Sequence, residues 1–189
     1  MKNGLFRKFV VASAVAFFFI IGAAGYVQEL AVQGASQTVG DFITEIYSLV
    51  SSSGGELPDW DKVRACFLKE AVIVLRTSRT AMTAFSLDGY IKDFVDFYEK
   101  PFKRGEATAV PKESGFTEKI VRLKSWEFGD TAHVLVLYEA RITGFANPAQ
   151  RGVDSWLLVR RDGRWLAAAV TNEIVTPARP IPPELREGK

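Results

Sequence analysis

The sequence predicts an α+β fold, with helices covering one face of a mainly antiparallel sheet in the order α-α-β-α-β-β-β-β. Three observations carry this. Residues 152–175 hold two apolar runs, 153–159 and 165–170, flanking Arg160-Arg161-Asp162-Gly163-Arg164. Asp-Gly between such runs signals a hairpin, because a type I′ turn needs positive φ at both central residues. Apolar side chains fall on both faces of each run, which places this pair in mid-sheet. Upstream, residues 116–128 and 131–143 alternate with period two around Phe128-Gly129-Asp130, a second hairpin. Before residue 100, apolar residues recur instead at helical spacing.

In chain order, Lys2, Arg7 and Lys8 precede nineteen uncharged residues, 9–27. A basic flank before such a core reads as a secretory signal peptide or as an uncleaved transmembrane anchor, since about 17–25 apolar residues span a bilayer. Either way residues 1–27 place the rest of the chain outside the cytoplasm: periplasmic, secreted, or membrane-anchored. Residues 28–38 form a polar spacer. Val39, Phe42, Ile43, Ile46, Tyr47 and Val50 then mark an amphipathic helix with Thr38 or Ser36 as N-cap, ended by Ser51-Ser52-Ser53-Gly54-Gly55. A second helix starts near Pro58-Asp59, with Trp60, Val63, Cys66 and Phe67 on one face. Residues 71–75 read as a short buried strand and 76–83 as a polar break. Ser86 caps a third helix carrying the stripe Leu87, Tyr90, Ile91, Phe94, Phe97 and Tyr98. Residues 100–114 read as a charged loop.

In the strand 131–143, Ala132, Val134, Val136, Tyr138 and Ala140 share one face, while His133, Leu135, Leu137, Glu139 and Arg141 share the other. The first set is expected on the helix-covered side. Residues 176–189 contain four prolines and read as an extended tail outside the domain, which spans 39–175.

Composition narrows function mainly by exclusion. The net charge of +2 belongs to the N-terminus; residues 25–189 hold 21 basic against 22 acidic side chains, leaving no basic footprint for nucleic acid. Cys66 is the single cysteine, so no intrachain disulfide forms, and its neighbours place it as a small buried hydrophobe. One histidine, His133, cannot build a histidine-rich metal centre, and no nucleophile-elbow, phosphate-loop or zinc-protease motif occurs. Neither metal nor cofactor is expected.

Phe42-Ile43-x-x-Ile46-Tyr47, Asp59-Trp60-Asp61-x-Val63, Leu87-Asp88-x-Tyr90-Ile91, Phe128-Gly129-Asp130-Thr131-Ala132 and Arg161-Asp162-Gly163-Arg164-Trp165 succeed one another in this order. Together they resemble the NTF2-like, or SnoaL-like, cone fold from about residue 39 to 174. That resemblance implies a strongly bent sheet whose concave face, with helices 1 and 3, encloses a pocket. It leaves activity open, because the fold hosts isomerases, dehydratases, transport factors and assembly modules alike. Ketosteroid-isomerase-like members place a tyrosine on helix 1, which corresponds to Tyr47. Their carboxylate base would fall at Leu75 or Arg76, neither an acid. Their second acid would fall at Ser155 or Asp154, with strand register favouring Ser155.

With the base position empty, the sequence weighs a binding or interaction module above an enzyme. The pocket candidates are Tyr47, Trp126, Tyr138, Ser155, Trp165 and Asn172, which would suit a hydrophobic small molecule. Leu135 and Leu137 on the outer face predict a homodimer or an envelope protein partner. The alternative is an isomerase-like enzyme acting on a hydrophobic substrate.

Overall fold

The computed structural model describes residues 37–78, 80–146 and 148–186. The basic flank and apolar segment of residues 1–27, and most of the spacer, lie outside these. Among the described residues no helix is long and apolar enough to cross a membrane.

Helix α1 (Val39–Leu49) starts at Thr38, whose hydroxyl accepts from the Asp41 amide at 3.1 Å while Asp41 accepts from the Thr38 amide at 3.2 Å. This reciprocal box satisfies donors that the first helical turn leaves unpaired. Helix α2 (Trp60–Ala65) is capped by Asp59, and α3 (Leu87–Glu99) by Ser86. Strand β1 (Phe67–Arg76) begins where α2 ends, so Phe67 belongs to the sheet and the expected short strand is twice as long. The expected polar break holds a short edge strand, β2 (Met82–Phe85), paired antiparallel to β1. The expected loop after α3 folds into a small hairpin, β3 (Phe102–Arg104) with β4 (Ala107–Ala109), followed by the single-turn helix α4 (Pro111–Ser114).

Four long strands complete the domain: β5 (Phe116–Phe128), β6 (Thr131–Ile142), β7 (Gln150–Arg161) and β8 (Arg164–Ile174). Asp162 and Gly163 at the β7–β8 turn have φ of 52° and 76°, the left-handed pair that a type I′ turn demands. The six-stranded sheet runs β2-β1-β8-β7-β6-β5, antiparallel except where β1 lies parallel to β8. The final hairpin therefore occupies the middle, as its two-sided apolar pattern requires.

The core lies between the sheet's inner face and helices α1 to α3. Phe42, Ile43 and Ile46 meet Val134, Val136, Trp156, Leu158 and Trp165, all buried. Tyr98 leaves this cluster to donate from its hydroxyl to the Val50 carbonyl at 2.7 Å, tying α3 to the end of α1.

The C-terminal segment differs from the extended tail the prolines suggest. It crosses the sheet's outer face and ends in a 3-10 turn, Pro183–Leu185, packed on β5 and β6. Leu185 is 1% exposed, and Leu137 on the outer face of β6 is 3% exposed. The chain's own tail thus covers the leucine for which the sequence expects a second subunit. Arg122 donates to the Arg186 carbonyl at 2.6 Å, and Arg186 to the Ile181 carbonyl at 2.8 Å, pinning the turn. Leu185→Ala should lower unfolding free energy by about 2–4 kcal/mol in denaturant titration, the usual cost of truncating a buried leucine. A loss below about 0.5 kcal/mol, the size of an ordinary surface substitution, would mean the tail adds nothing to the fold.

Candidate functional site

Between α1, α3 and the inner face of the sheet lies a half-open cavity of about 250 Å³. Its walls are mostly aromatic and aliphatic. Its polar groups converge on Asp154, which together with Asn172 is the buried polar exception in an otherwise apolar interior among the described residues.

Asp154 is held from two sides. The Tyr47 hydroxyl donates to its Oδ2 at 2.5 Å and the Asn172 amide to its Oδ1 at 2.7 Å. Asn172 Nδ2 also donates to the Tyr138 hydroxyl at 2.7 Å, using its second N–H. Each Asp154 oxygen thus accepts one bond and keeps a lone pair. Tyr138 accepts from Asn172, so its own proton is left for an acceptor in the cavity. Tyr138 sits across the strand from Gly152, and a Cβ there would lie 2.2 Å from the tyrosine oxygen. Only glycine lets the ring lie over β7 and bring its hydroxyl to Asn172.

A second carboxyl, Glu118 on β5, lines the same cavity. Its backbone amide donates to Ser51 Oγ at 3.0 Å, and that hydroxyl donates to the Tyr47 carbonyl at 2.8 Å. The turn after α1 thereby sets Glu118 and Tyr47 relative to each other. Both also line a groove between α1 and β5. Arg76 and Asp93 border the cavity.

The two carboxyls are pushed upward. Burial, and then the neighbouring Asp154 carboxylate, raise Glu118 to about 8. Burial raises Asp154 to about 6, against the opposing pull of Asn172 and Tyr47. Burial and the Asp154 charge hold Tyr47 well above the usual phenol range. Burial thus favours the protonated form of both carboxyls, and more strongly at Glu118 than at Asp154.

Two β-bulges create this arrangement. Counted back from the β5–β6 turn without a slip, Glu118 would stand opposite Arg141 on the outer face. The irregularity between Ile120 and Arg122 pairs it with Ala140 instead, turning its side chain inward. In the same way, an unbroken β7–β8 register would set Asn172 opposite Val153. The slip at Leu157/Leu158 sets it opposite Asp154. A one-residue shift exchanges the faces of a strand, so each bulge moves one polar side chain into the cavity.

Of the residues expected in the pocket, Tyr47, Tyr138 and Asn172 line it. Ser155 does not: it faces outward and bonds His133 at 2.9 Å, because β7 turns Asp154 and Trp156 inward. Trp126 also lies on the outer face, stacked on His133. Trp165 is fully enclosed away from the cavity, with the Arg160 guanidinium 4.3 Å from its ring. Glu118 escapes sequence reasoning, because its parity along β5 is that of the outer face until the bulge intervenes. Cys66 is buried, which pushes its thiol up to about 11. No group of three or more histidine, cysteine or acidic side chains placed to hold a metal occurs among the described residues.

Neither a family model nor a curated protein matches this sequence. Solved structures do. An NTF2-like protein of unknown function from Pseudomonas putida KT2440 aligns over 81% of this chain and 96% of its own, at TM-score 0.55 and 12% identity. An uncharacterised Caulobacter vibrioides protein with a cystatin-like fold aligns over 74% and 89%, at TM-score 0.54 and 14% identity. A candidate dehydratase of the NTF2-like family from Streptomyces avermitilis aligns over 75% and 96%, at 0.53 and 12%. The described domain thus has the NTF2-like, cystatin-like α+β fold. At these identities the likeness is one of fold.

Tyr47→Phe removes only the hydroxyl that donates to Asp154. We expect a loss of about 1.5–3 kcal/mol, the range for a hydrogen bond to a charged group. Carbon NMR titration should show the Asp154 carboxyl rising above its wild-type value, because a donor that favoured the ionised form is gone. An unchanged titration would mean that this bond does not set the state of Asp154.

Proposed function

We propose that the domain binds a small, largely apolar molecule carrying one oxygen function, and that Asp154 and Glu118 transfer protons on it. The observation behind this reading is one cavity lined by two carboxyls in unlike surroundings, Asp154 held by two donors and Glu118 by none among the described residues, with burial pushing both upward and Glu118 further. Environments that push paired acids apart in this way assign acid and base roles. Asp154, ionised and fixed by Tyr47 and Asn172, would take a proton from a carbon next to the ligand's carbonyl or hydroxyl-bearing carbon. Glu118, still protonated, would donate to the developing oxygen charge or to a departing hydroxyl, with the Tyr138 hydroxyl as a second donor. A cavity of about 250 Å³ suits a compact one- or two-ring ligand. Enolisation and dehydration both need these parts; the geometry supports proton transfer without choosing between them.

The pH dependence follows from the two shifts. Activity needs Asp154 ionised and Glu118 protonated, so its profile should rise through about 6 and fall through about 8. Deuterium exchange at the α-carbon of cyclic ketones, followed by proton NMR, reads this directly. Asp154→Asn should lower exchange by at least about 100-fold, and Glu118→Gln should flatten the alkaline limb. Exchange unaffected by Asp154→Asn would remove the catalytic reading. Stability carries a matching sign: both folded-state values lie above the ordinary carboxylate range. Their contribution is therefore complete below about pH 4 and is lost as pH rises through 6 and 8. Glu118→Gln should accordingly stabilise the protein at pH 9 relative to wild type by roughly 1–3 kcal/mol and change little at pH 4.

The address belongs to the same proposal. Residues 1–27, basic then apolar, would carry the cavity domain across the cytoplasmic membrane and release it or hold it there. A reporter active only outside the cytoplasm, fused after residue 189, should be active, and deletion of residues 2–27 should silence it. Activity that survives the deletion would remove export.

A further inference from the structure

We propose that the hairpin end of the sheet's outer face is a membrane-docking surface, built to lie on the headgroups of an anionic phospholipid bilayer. The inference rests on the reading of residues 9–27 as a membrane segment. Phe128, at the end of β5, is 89% exposed, and Trp126, two residues back on the same face, is 44% exposed. Trp126 pairs across the sheet with His133, on which its ring stacks at 5.4 Å, and His133 pairs with Leu157, itself 53% exposed. The strip therefore crosses β5, β6 and β7 at one level. The C-terminal tail covers Leu137 further along this face but leaves the hairpin end open.

Cations rim the strip. The β5–β6 and β7–β8 turns lie side by side, joined by a bond from the Arg160 amide to the Asp130 carbonyl at 2.8 Å. Arg161 and Arg164 flank the second turn, both exposed, and no ion pair engages either among the described residues. Lys124 lies over the Trp126 ring at 5.8 Å. Of the acids at this end, Glu127 faces Arg160 at 3.9 Å, while Asp130 and Asp162 sit in the turns. An exposed aromatic pair with unpaired arginines beside it matches the two parts of an anionic lipid surface, acyl boundary and phosphate.

The course of the chain favours a bilayer as the occupant. Helix α1 runs antiparallel to β5: its end, Ser51, meets Glu118, while Gly40 and Thr44 near its start share a groove with Ile120 and Leu123. The start of α1 therefore points toward the hairpin end. Residues 28–38 connect it to the apolar segment and, fully extended, span at most about 35–40 Å. A bilayer that holds residues 9–27 is therefore joined to the start of α1 by no more than that length of chain.

The test uses the full chain in phosphatidylglycerol vesicles with brominated acyl chains, beside matched phosphatidylcholine vesicles. The difference between wild type and Trp126→Phe isolates Trp126 emission from the less exposed tryptophans. We expect that emission to fall by about half in the anionic vesicles, and to recover in Phe128→Ser and in Arg161→Glu/Arg164→Glu. Phe128 touches little of the core, so its replacement leaves the fold intact. A chain that floats with the vesicles while Trp126 stays unquenched overturns the docking surface and leaves the anchor standing. A chain that does not float overturns both. Shielding of Trp126 that grows with protein concentration in lipid-free detergent, with a dimer mass by light scattering, assigns the face to a second copy and overturns the proposal.

Discussion

Placing a carboxylate inside an apolar sheet is the constraint around which this domain is organised. A buried charge is costly unless it is hydrogen-bonded, and Asp154 draws its two donors from α1 and β8. Tyr47 can reach it only if α1 lies across the inner face at one angle. That angle is set by the capping box at Thr38, the Ser51 bonds to Tyr47 and Glu118, and the anchoring of Val50 by Tyr98. Asn172 is shared with Tyr138, which in turn requires glycine at 152. Helix, four strands and one glycine are thus tied to a single acid.

Glu118 adds the complementary condition. It is a carboxyl with no side-chain hydrogen bond among the described residues, and burial, then the charge of Asp154, make its ionisation unfavourable. Structural carboxylates usually acquire cationic partners; here the charge that acts on Glu118, that of Asp154, has the same sign. Such an arrangement costs stability near and above neutral pH, and proteins retain it chiefly where the protonation states are used. The cavity that receives both groups is walled by α1, α3 and the sheet, and Tyr47 and Glu118 also border the α1–β5 groove.

The two faces of the sheet do different work. The inner face is apolar with a polar focus, while the outer face is divided between the chain's own tail and an uncovered aromatic strip. Leu137 shows why an apolar side chain on an outer face does not by itself imply a second subunit: a short proline-rich segment, residues 176–186, is enough to cover part of a sheet. Prolines make that cover possible, since an extended segment without a ladder of its own can follow the sheet surface and still end in a tight turn that buries Leu185.

The sequence by itself determined the fold class and most of its parts. Asp162-Gly163 and Gly129 mark the turns because only certain residues adopt positive φ, and period two along residues 131–142 assigns the faces of β6 correctly. Thr38 and Ser86 cap the helices for equally local reasons. Tyr47 and Tyr138 were legible as cavity candidates because each is a polar group on an otherwise apolar stripe. What only the tertiary structure decided is where period two breaks. The bulges at Val121 and near Ala168 leave no mark in the amino-acid pattern, since a single extra residue in a strand is stabilised by sheet curvature and by packing against α1 and α3. Those two slips place Glu118 in the cavity and set Asn172 against Asp154. With both faces of β7 apolar, the strand register favoured Ser155 wrongly; the helix packed over the other face brings Asp154 inward.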